Sequence, residues 1–460
     1  MLQKYIGDRA FLRRVMLVAI PIIIQNGITN FVSLLDNIMV GQVGTAQMSG
    51  VSIVNNLVFV FNVCVFGATS GPGIFTAQFF GSQDQEGIRH TFRYKLLITL
   101  LLTLAGIGIF LMGGDRLIML YLQGEGQPET ISASLEYGMS YLNIMLFGLT
   151  PFALANAYSG TLRETGETMV PMIAGVAAVF VNLGLNYVLI FGHFGAPAMG
   201  VNGAAVATVV SRYVELVIVV IWTHRNPRKN PFIVGAFRTF LIPGRLFRQI
   251  TLKGLPLLFN EFIWSTGVAF LNQCYSTRGL DVVAALNIST TLSNLASVVF
   301  MAMANAVGII MGQMLGSGAA ETEVRDANRK VITIAVLSCA VFGGLMAAFA
   351  GLFPQIYKTS AEVQLLATIF ICISAAIMPF SAYTTSAYFT LRSGGKTAIT
   401  FLFDSGFTWL ACIPVAFLLS RFTALPIIPL YAVCQGLELI KCSIGYLLVK
   451  KGSWIQNLTA

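Results

Sequence analysis

Gly73-Ile-Phe-Thr-Ala-Gln-Phe-Phe-Gly-Ser82 returns as Gly308-Ile-Ile-Met-Gly-Gln-Met-Leu-Gly-Ser317, 235 positions further along a chain of 460 residues. A period of half the chain is far too long for a solenoid and reads as two similar halves. The match extends outward without a gap: Pro21 falls on Pro256, Gly44 on Gly279 and Ile53 on Ile288. After one inserted residue Arg89 and Arg93 fall on Arg325 and Arg329. Later, Thr161-Leu-Arg163-x-x-Gly166-x-Thr168 returns as Thr390-Leu-Arg392-x-x-Gly395-x-Thr397, and Glu215 meets Glu438. The collinear order makes the duplication structural. The Gly, Gln and Ser of the decapeptide read as hinge and helix-end chemistry shared by both halves.

Composition sets the class. The chain is 56% hydrophobic and 10% charged, against about 45–50% and 25% in soluble domains. Apolar stretches near the length of roughly 20 residues that a bilayer requires occupy 16–38, 51–79, 95–113, 138–160, 169–191, 200–222, 254–275, 284–313, 331–350, 363–388, 398–419 and 426–449. The expected fold is therefore all-α and integral to the membrane, with twelve spans in two six-helix bundles. Six is even, so both bundles enter from one side and the repeat is parallel. The halves divide as an amino-terminal lobe at 1–223, a basic linker at 224–253 and a carboxyl-terminal lobe at 254–460.

Charge orients the chain. Of 28 Lys and Arg, 22 fall in the amino terminus, the even-numbered connections and the carboxyl terminus; Arg116, Arg278, Lys358 and Arg421 fall on the other side, and Arg212 and Lys441 lie within spans. The positive-inside rule places both termini in the cytoplasm, in a multi-pass protein of the cell's inner (plasma) membrane. This asymmetry accounts for the net charge of +9, so no nucleic-acid partner is implied. The linker's Arg225, Arg228, Lys229, Arg238, Arg245, Arg248 and Lys253 would rest against anionic lipid headgroups. The basic amino terminus precedes a run of spanning length with no small-residue cleavage site, which speaks against a signal peptide. Seven scattered cysteines give neither a disulfide framework nor a metal spacing. His90, His193 and His224 fall in loops, and no nucleotide-binding loop occurs. No cofactor and no enzymatic motif are expected. Transport would have to run on an ion gradient, with H+ or Na+ as the coupling ion.

Five carboxylates lie where the bilayer should have excluded them: Asp36, Glu215, Glu261, Asp404 and Glu438. Each costs about 2.5–3.5 kcal/mol to insert mid-membrane, so such groups face a cavity or a partner. Glu215 with Arg212, and Glu438 with Lys441, have the i,i+3 spacing of an ion pair, read as gate or structural pairs. Asp36 has no basic residue on its span after Arg14. A carboxylate without a counter-charge in low dielectric can take up and release a proton on small changes of solvation, which makes Asp36 a coupling candidate. Asn182 and Asn186, four apart and hence on one face, and Thr208 on the next span supply oxygen ligands for a proton relay or a hard monovalent cation. Glu261 and Asp404 lie at similar depth and are expected to share a site in the second half. Their counterparts are Asn26 and Gly175, and Asp36 falls on Leu271, so the halves are chemically unequal. Among 34 Phe, 14 Tyr and 17 Met, a minority near an acidic group would suit lipophilic cations through cation–π attraction.

Together the pattern Asp36-x-x-x-x-Gly41-x-x-Gly44, the Gln78-x-x-Gly81 and Gln313-x-x-Gly316 span ends, and the two Thr-Leu-Arg turns resemble the MATE family, the multidrug and toxic compound extrusion transporters, over essentially the whole chain. The resemblance implies a V-shaped pair of bundles, alternating access, and export of amphipathic, cationic drugs or other xenobiotic compounds in exchange for protons or sodium. It also implies that Asp36 and Asn182 line the cavity of the amino-terminal lobe. The chain departs from one branch at Asn186, where that branch has a second aspartate. It departs from another at Ser381, which replaces an aspartate, and in placing Glu261 a turn early. A monomer is expected. A flippase for lipid-linked glycans is the alternative transporter reading; an intramembrane enzyme or sensor is the alternative of another class.

Overall fold

The computed structural model describes residues 5–122, 128–357 and 359–459; Lys358 lies outside them. Among the described residues twelve helices are long and apolar enough to cross a membrane. They are α1 Arg9–Gly41, α2 Thr45–Gly81, α3 Gln85–Leu122, α4 Pro128–Glu164, α5 Met169–Phe191, α6 Val201–Arg225, α7 Gly244–Ser276, α8 Leu280–Gly316, α9 Glu321–Ala348, α10 Ala361–Ser393, α11 Thr397–Phe422 and α12 Ile427–Lys451.

Most helices overrun the apolar windows. A window reports the hydrocarbon thickness, whereas the backbone keeps its internal hydrogen bonds into the interface. α3 thus starts ten residues before its window and α7 at Gly244 rather than 254, so the expected linker is helical in its last ten positions. His90 consequently lies within α3 and His224 in the last turn of α6, not in loops. Local chemistry fixes several ends. The Ser360 side chain accepts from Val363 N at 3.3 Å to start α10, and Gly192 and Gly452, at φ 75° and 72°, close α5 and α12 in the left-handed region.

The chain forms two compact units. One comprises 24–76 and 85–250, the other 1–23, 77–84 and 251–460; they are called the amino and carboxyl units below. In the amino unit α6 packs on α4 and α5, and α3 on α4. The core there joins Val54, Leu57, Phe61 and Val65 of α2 to Phe110 and Ile118 of α3, Leu142 and Leu149 of α4, and Ala204 and Ala205 of α6. In the carboxyl unit α10 packs on α8, α9 and α12, over a core that includes Tyr275, Ala285, Phe370, Ala416 and Tyr431. Leu101, Leu104, Leu111 and Met112 of α3 remain exposed, as expected of side chains that meet lipid.

Three of the repeated arginines turn out to be backbone clamps, while Arg329 pairs with Asp326. Arg93 donates to the carbonyls of Ala236 and Gly235, both at 2.8 Å, and of Leu241 at 3.3 Å, and Arg89 donates to that of Phe232 at 3.3 Å. The segment after α6 is therefore folded onto its own unit, with Phe232, Ile233 and Ala236 buried. In the carboxyl unit Arg325 donates to the Lys450 carbonyl at 2.8 Å, and Trp454 of the segment after α12 is fully buried.

The decapeptides anchor the chain ends within the carboxyl unit. Gln78, fully buried, donates to the carbonyls of Ser393 at 2.9 Å and Gln456 at 3.2 Å and accepts from Leu458 N at 2.7 Å. Gln313 accepts from Arg14 at 3.1 Å. A Cβ on Gly316 would overlap the Gln78 carbonyl, and one on Gly81 the Gln313 carbonyl. Only glycine permits this backbone approach.

Candidate functional site

The intramembrane acids singled out from the sequence sit in polar clusters, and each unit holds such a cluster. In the amino unit Asp36 comes from the last turns of α1, Asn182 and Asn186 from one face of α5, and Thr208 from α6. Asn186 Nδ2 donates to Asp36 Oδ1 at 2.7 Å. The Asn182 amide fits its surroundings when Nδ2 faces Asp36 Oδ2 at 2.8 Å and its oxygen faces Thr208 Oγ1 at 3.2 Å. Asn182 and Asn186 are 7% and 2% exposed, so water competes little for these bonds. All four residues singled out from the sequence are brought together.

Two amide donors on one carboxylate favour its ionised form. The same cluster is rich in acceptors, because Asn186 Oδ1 is buried with no protein donor. Such an orphan in low dielectric calls for a positive partner or a donor. Asp36 can therefore alternate between an amide-cradled anion and a form neutralised by a proton or an alkali cation. Two neighbours escaped the sequence reading. Tyr141 of α4, buried, lies within electrostatic range of Asp36 and donates to Asn55 Oδ1 of α2 at 3.2 Å. Neither shares a helix with Asp36, so no spacing in the sequence joins them.

In the carboxyl unit Asp404 sits where α11 widens into π-helical turns at Leu402–Gly406 and Thr408–Cys412. The cause is visible at Asn260 of α7. Its Oδ1 accepts from the Ser405 backbone N–H at 3.3 Å, while Ser405 Oγ donates back to the Asn260 carbonyl at 2.9 Å. A side chain that captures a helix N–H opens the ladder there. Asn260 Nδ2 then donates to Asp404 Oδ2 at 3.0 Å and lies 3.4 Å from the Tyr388 hydroxyl.

Lys441 of α12 donates to Asp404 Oδ1 at 2.8 Å. This corrects the expected Glu438–Lys441 pair: Glu438 accepts from the Thr384 hydroxyl instead. It also gives Asp404 a counter-charge on another helix. Glu261, on the residue after Asn260, lies within electrostatic range of Asp404 and Arg392, so the two acids do share a neighbourhood. Asn260 was missed, although its repeat counterpart Gln25 is also an amide. In the amino unit Gln25 accepts from Arg163, the counterpart of Arg392, at 2.8 Å.

The remaining pairs are simpler. Arg212 and Glu215 meet at 3.4 Å as their spacing predicts, with the Arg212 guanidinium 5.0 Å from the Phe152 ring centre. Lys95, fully buried, pairs with Glu164 and donates to Thr161 Oγ1 at 3.1 Å; the sequence had counted it only as a topogenic charge. Tyr158 is engaged with His224 at 3.2 Å and serves packing.

Residues 21–188 and 256–418, one stretch in each half, match the MatE family. The chain is 24% identical over 442 residues to the probable multidrug resistance protein NorM of Thermotoga maritima, covering 95% of this chain and 91% of that protein. It is 24% identical over 421 residues to the multidrug resistance protein MdtK of Yersinia pestis, covering 91% and 89%. A solved outward-facing structure of a multidrug resistance MATE family transporter superposes with a TM-score of 0.85 at 20% identity, over 100% of this chain and 99% of that one; at that identity the likeness concerns the fold.

Proposed function

The chain belongs to the MatE family, and we propose that it is a secondary transporter exporting amphipathic, cationic compounds across the plasma membrane against an inward flow of protons or sodium. Both termini would lie in the cytoplasm, as the loop charges require. The observation that carries the coupling role is Asp36, held by Asn182 and Asn186 beside the orphaned Asn186 Oδ1. A carboxylate that can be neutralised in a low-dielectric site converts ion binding into a change of local charge. That change favours one conformation over another by the difference in ion affinity between them. The related transporters named above are multidrug resistance proteins, and the aromatic side chain of Tyr388 near Glu261 and Asp404 suits an organic cation.

Dye efflux from proteoliposomes under separately imposed proton and sodium gradients tests this. One gradient should drive efflux, and Asp36→Asn should lower it by about 100-fold or more, the scale of losing a charge-dependent step. Efflux indifferent to both gradients, or undiminished in Asp36→Asn, sinks the reading. Glu261→Gln belongs in the same assay: a phenotype distinct from that of Asp36→Asn supports a division of labour between the units.

A further inference from the structure

The carboxyl unit carries a charged pair that its duplicate does without. By the repeat, Asp404 falls on Gly175 and Lys441 on Ile218. The same architecture therefore forms with no charge at either place. A buried ion pair adds little net stability, because the desolvation of both ions offsets their attraction. Folding does not account for this pair.

Its surroundings resemble a seat for an ammonium group. Asn260 fixes one oxygen of Asp404 and Lys441 occupies the other. The Lys441 ammonium also lies 5.5 Å from the Phe403 ring centre, and a carboxylate on one side with an aromatic face on another is what an organic cation favours. The pair is not sealed off, the Lys441 and Asp404 side chains keeping 13% and 19% exposure. Lys441 moreover has a second acid at hand: Glu438 is three residues back on the same face, and its charge acts on Lys441. Three carboxylates, Asp404, Glu438 and Glu261, stand against the cations Lys441 and Arg392.

We infer that Lys441 is a built-in competitor for the transported cation: its ammonium holds the Asp404 seat, and a lipophilic cation takes that seat by moving Lys441 onto Glu438. Lys441 then determines specificity. A ligand must carry a positive charge to replace it, and bind Asp404 well enough to offset the exchange. The inference deepens the proposed export of cations and rests on it for the identity of the ligand.

The test is equilibrium binding of tetraphenylphosphonium to the full-length protein in lipid nanodiscs, with no gradient imposed. Lys441→Gln should bind about ten-fold tighter than wild type, equivalent to about 1.4 kcal/mol. Lys441→Arg should bind like wild type, Glu438→Gln several-fold more weakly, and Asp404→Asn more weakly still. In the Asp404→Asn background, Lys441→Gln should bring no gain. Unchanged or weaker binding by Lys441→Gln, or a gain that persists without Asp404, overturns the inference. Should Lys441→Gln fail to fold, wild-type protein with 13C-methylated lysines decides. The Lys441 resonance, assigned by its loss in Lys441→Arg, must shift at saturating probe, and an unmoved resonance overturns the inference. Binding needs no gradient, so failure of driven efflux would strike the antiporter reading and leave this result standing.

Discussion

At Asn186 the donor half of the amide is engaged by Asp36 while the acceptor half meets no protein donor. The residue thus serves both states of its neighbour, steadying the anion through Nδ2 and offering Oδ1 to whatever neutralises it. A hydrogen bond to a charged group contributes about 1.5–3 kcal/mol. Asn186→Ala should therefore shift the half-saturating concentration of the driving ion by about 10- to 100-fold, downward for protons because the anion loses a donor, and upward for sodium because the cation loses the Oδ1 ligand, measured as initial efflux rate against ion concentration. An unchanged half-saturation would remove Asn186 from the site. This cluster was legible in the sequence because each member is a polar residue in an apolar run, and because the i,i+4 spacing of Asn182 and Asn186 survives folding intact. Lys441 was not. Helical spacing offered Glu438, and the winning partner came from another helix, which no single-helix rule can supply.

For elements, α11 is the departure from regularity that matters. Its apolar window predicted a plain span, yet the Asn260 side chain draws off the Ser405 N–H and the following turns widen. The register of Asp404 toward Lys441 and Asn260 is set in those turns, so a uniform helix drawn from sequence would aim it elsewhere. Asn260→Ala leaves Ser405 N–H without its acceptor and Asp404 with one donor fewer. Loss of a buried bond of this kind costs about 1–3 kcal/mol. The expected outcome is a lowered unfolding midpoint together with faster backbone hydrogen exchange confined to 402–412. Exchange as slow as in wild type would mean that α11 widens for another reason.

On the scale of the whole molecule the helix count was legible in the apolar windows, and the observed packing follows the repeat, as in α4 on α6 and α10 on α12. The repeat did not give the membership of the compact units, because residues 1–23 and 77–84 of the first half belong with 251–460. Windowed hydropathy treats a helix as one object, whereas α1 and α2 each contribute to both units. A consequence can be measured: two separately expressed pieces, cut between the exposed Phe240 and Leu241, should co-purify, since the first piece carries part of the carboxyl unit. Recovery of the pieces as independent folded species would contradict this partition.

The grip of Gln78 on the end of the chain falls on main-chain groups alone, the carbonyls of Ser393 and Gln456 and the N–H of Leu458. Recognition of that kind ignores which residues supply the groups. Replacing Gln456 by Ala or Lys should leave the unfolding midpoint where it was. Ending the chain after Ile455 would remove two of these three partners and lower that midpoint toward the level of Gln78→Ala. The tail is therefore read as backbone, tolerant of spelling changes and intolerant of being cut short.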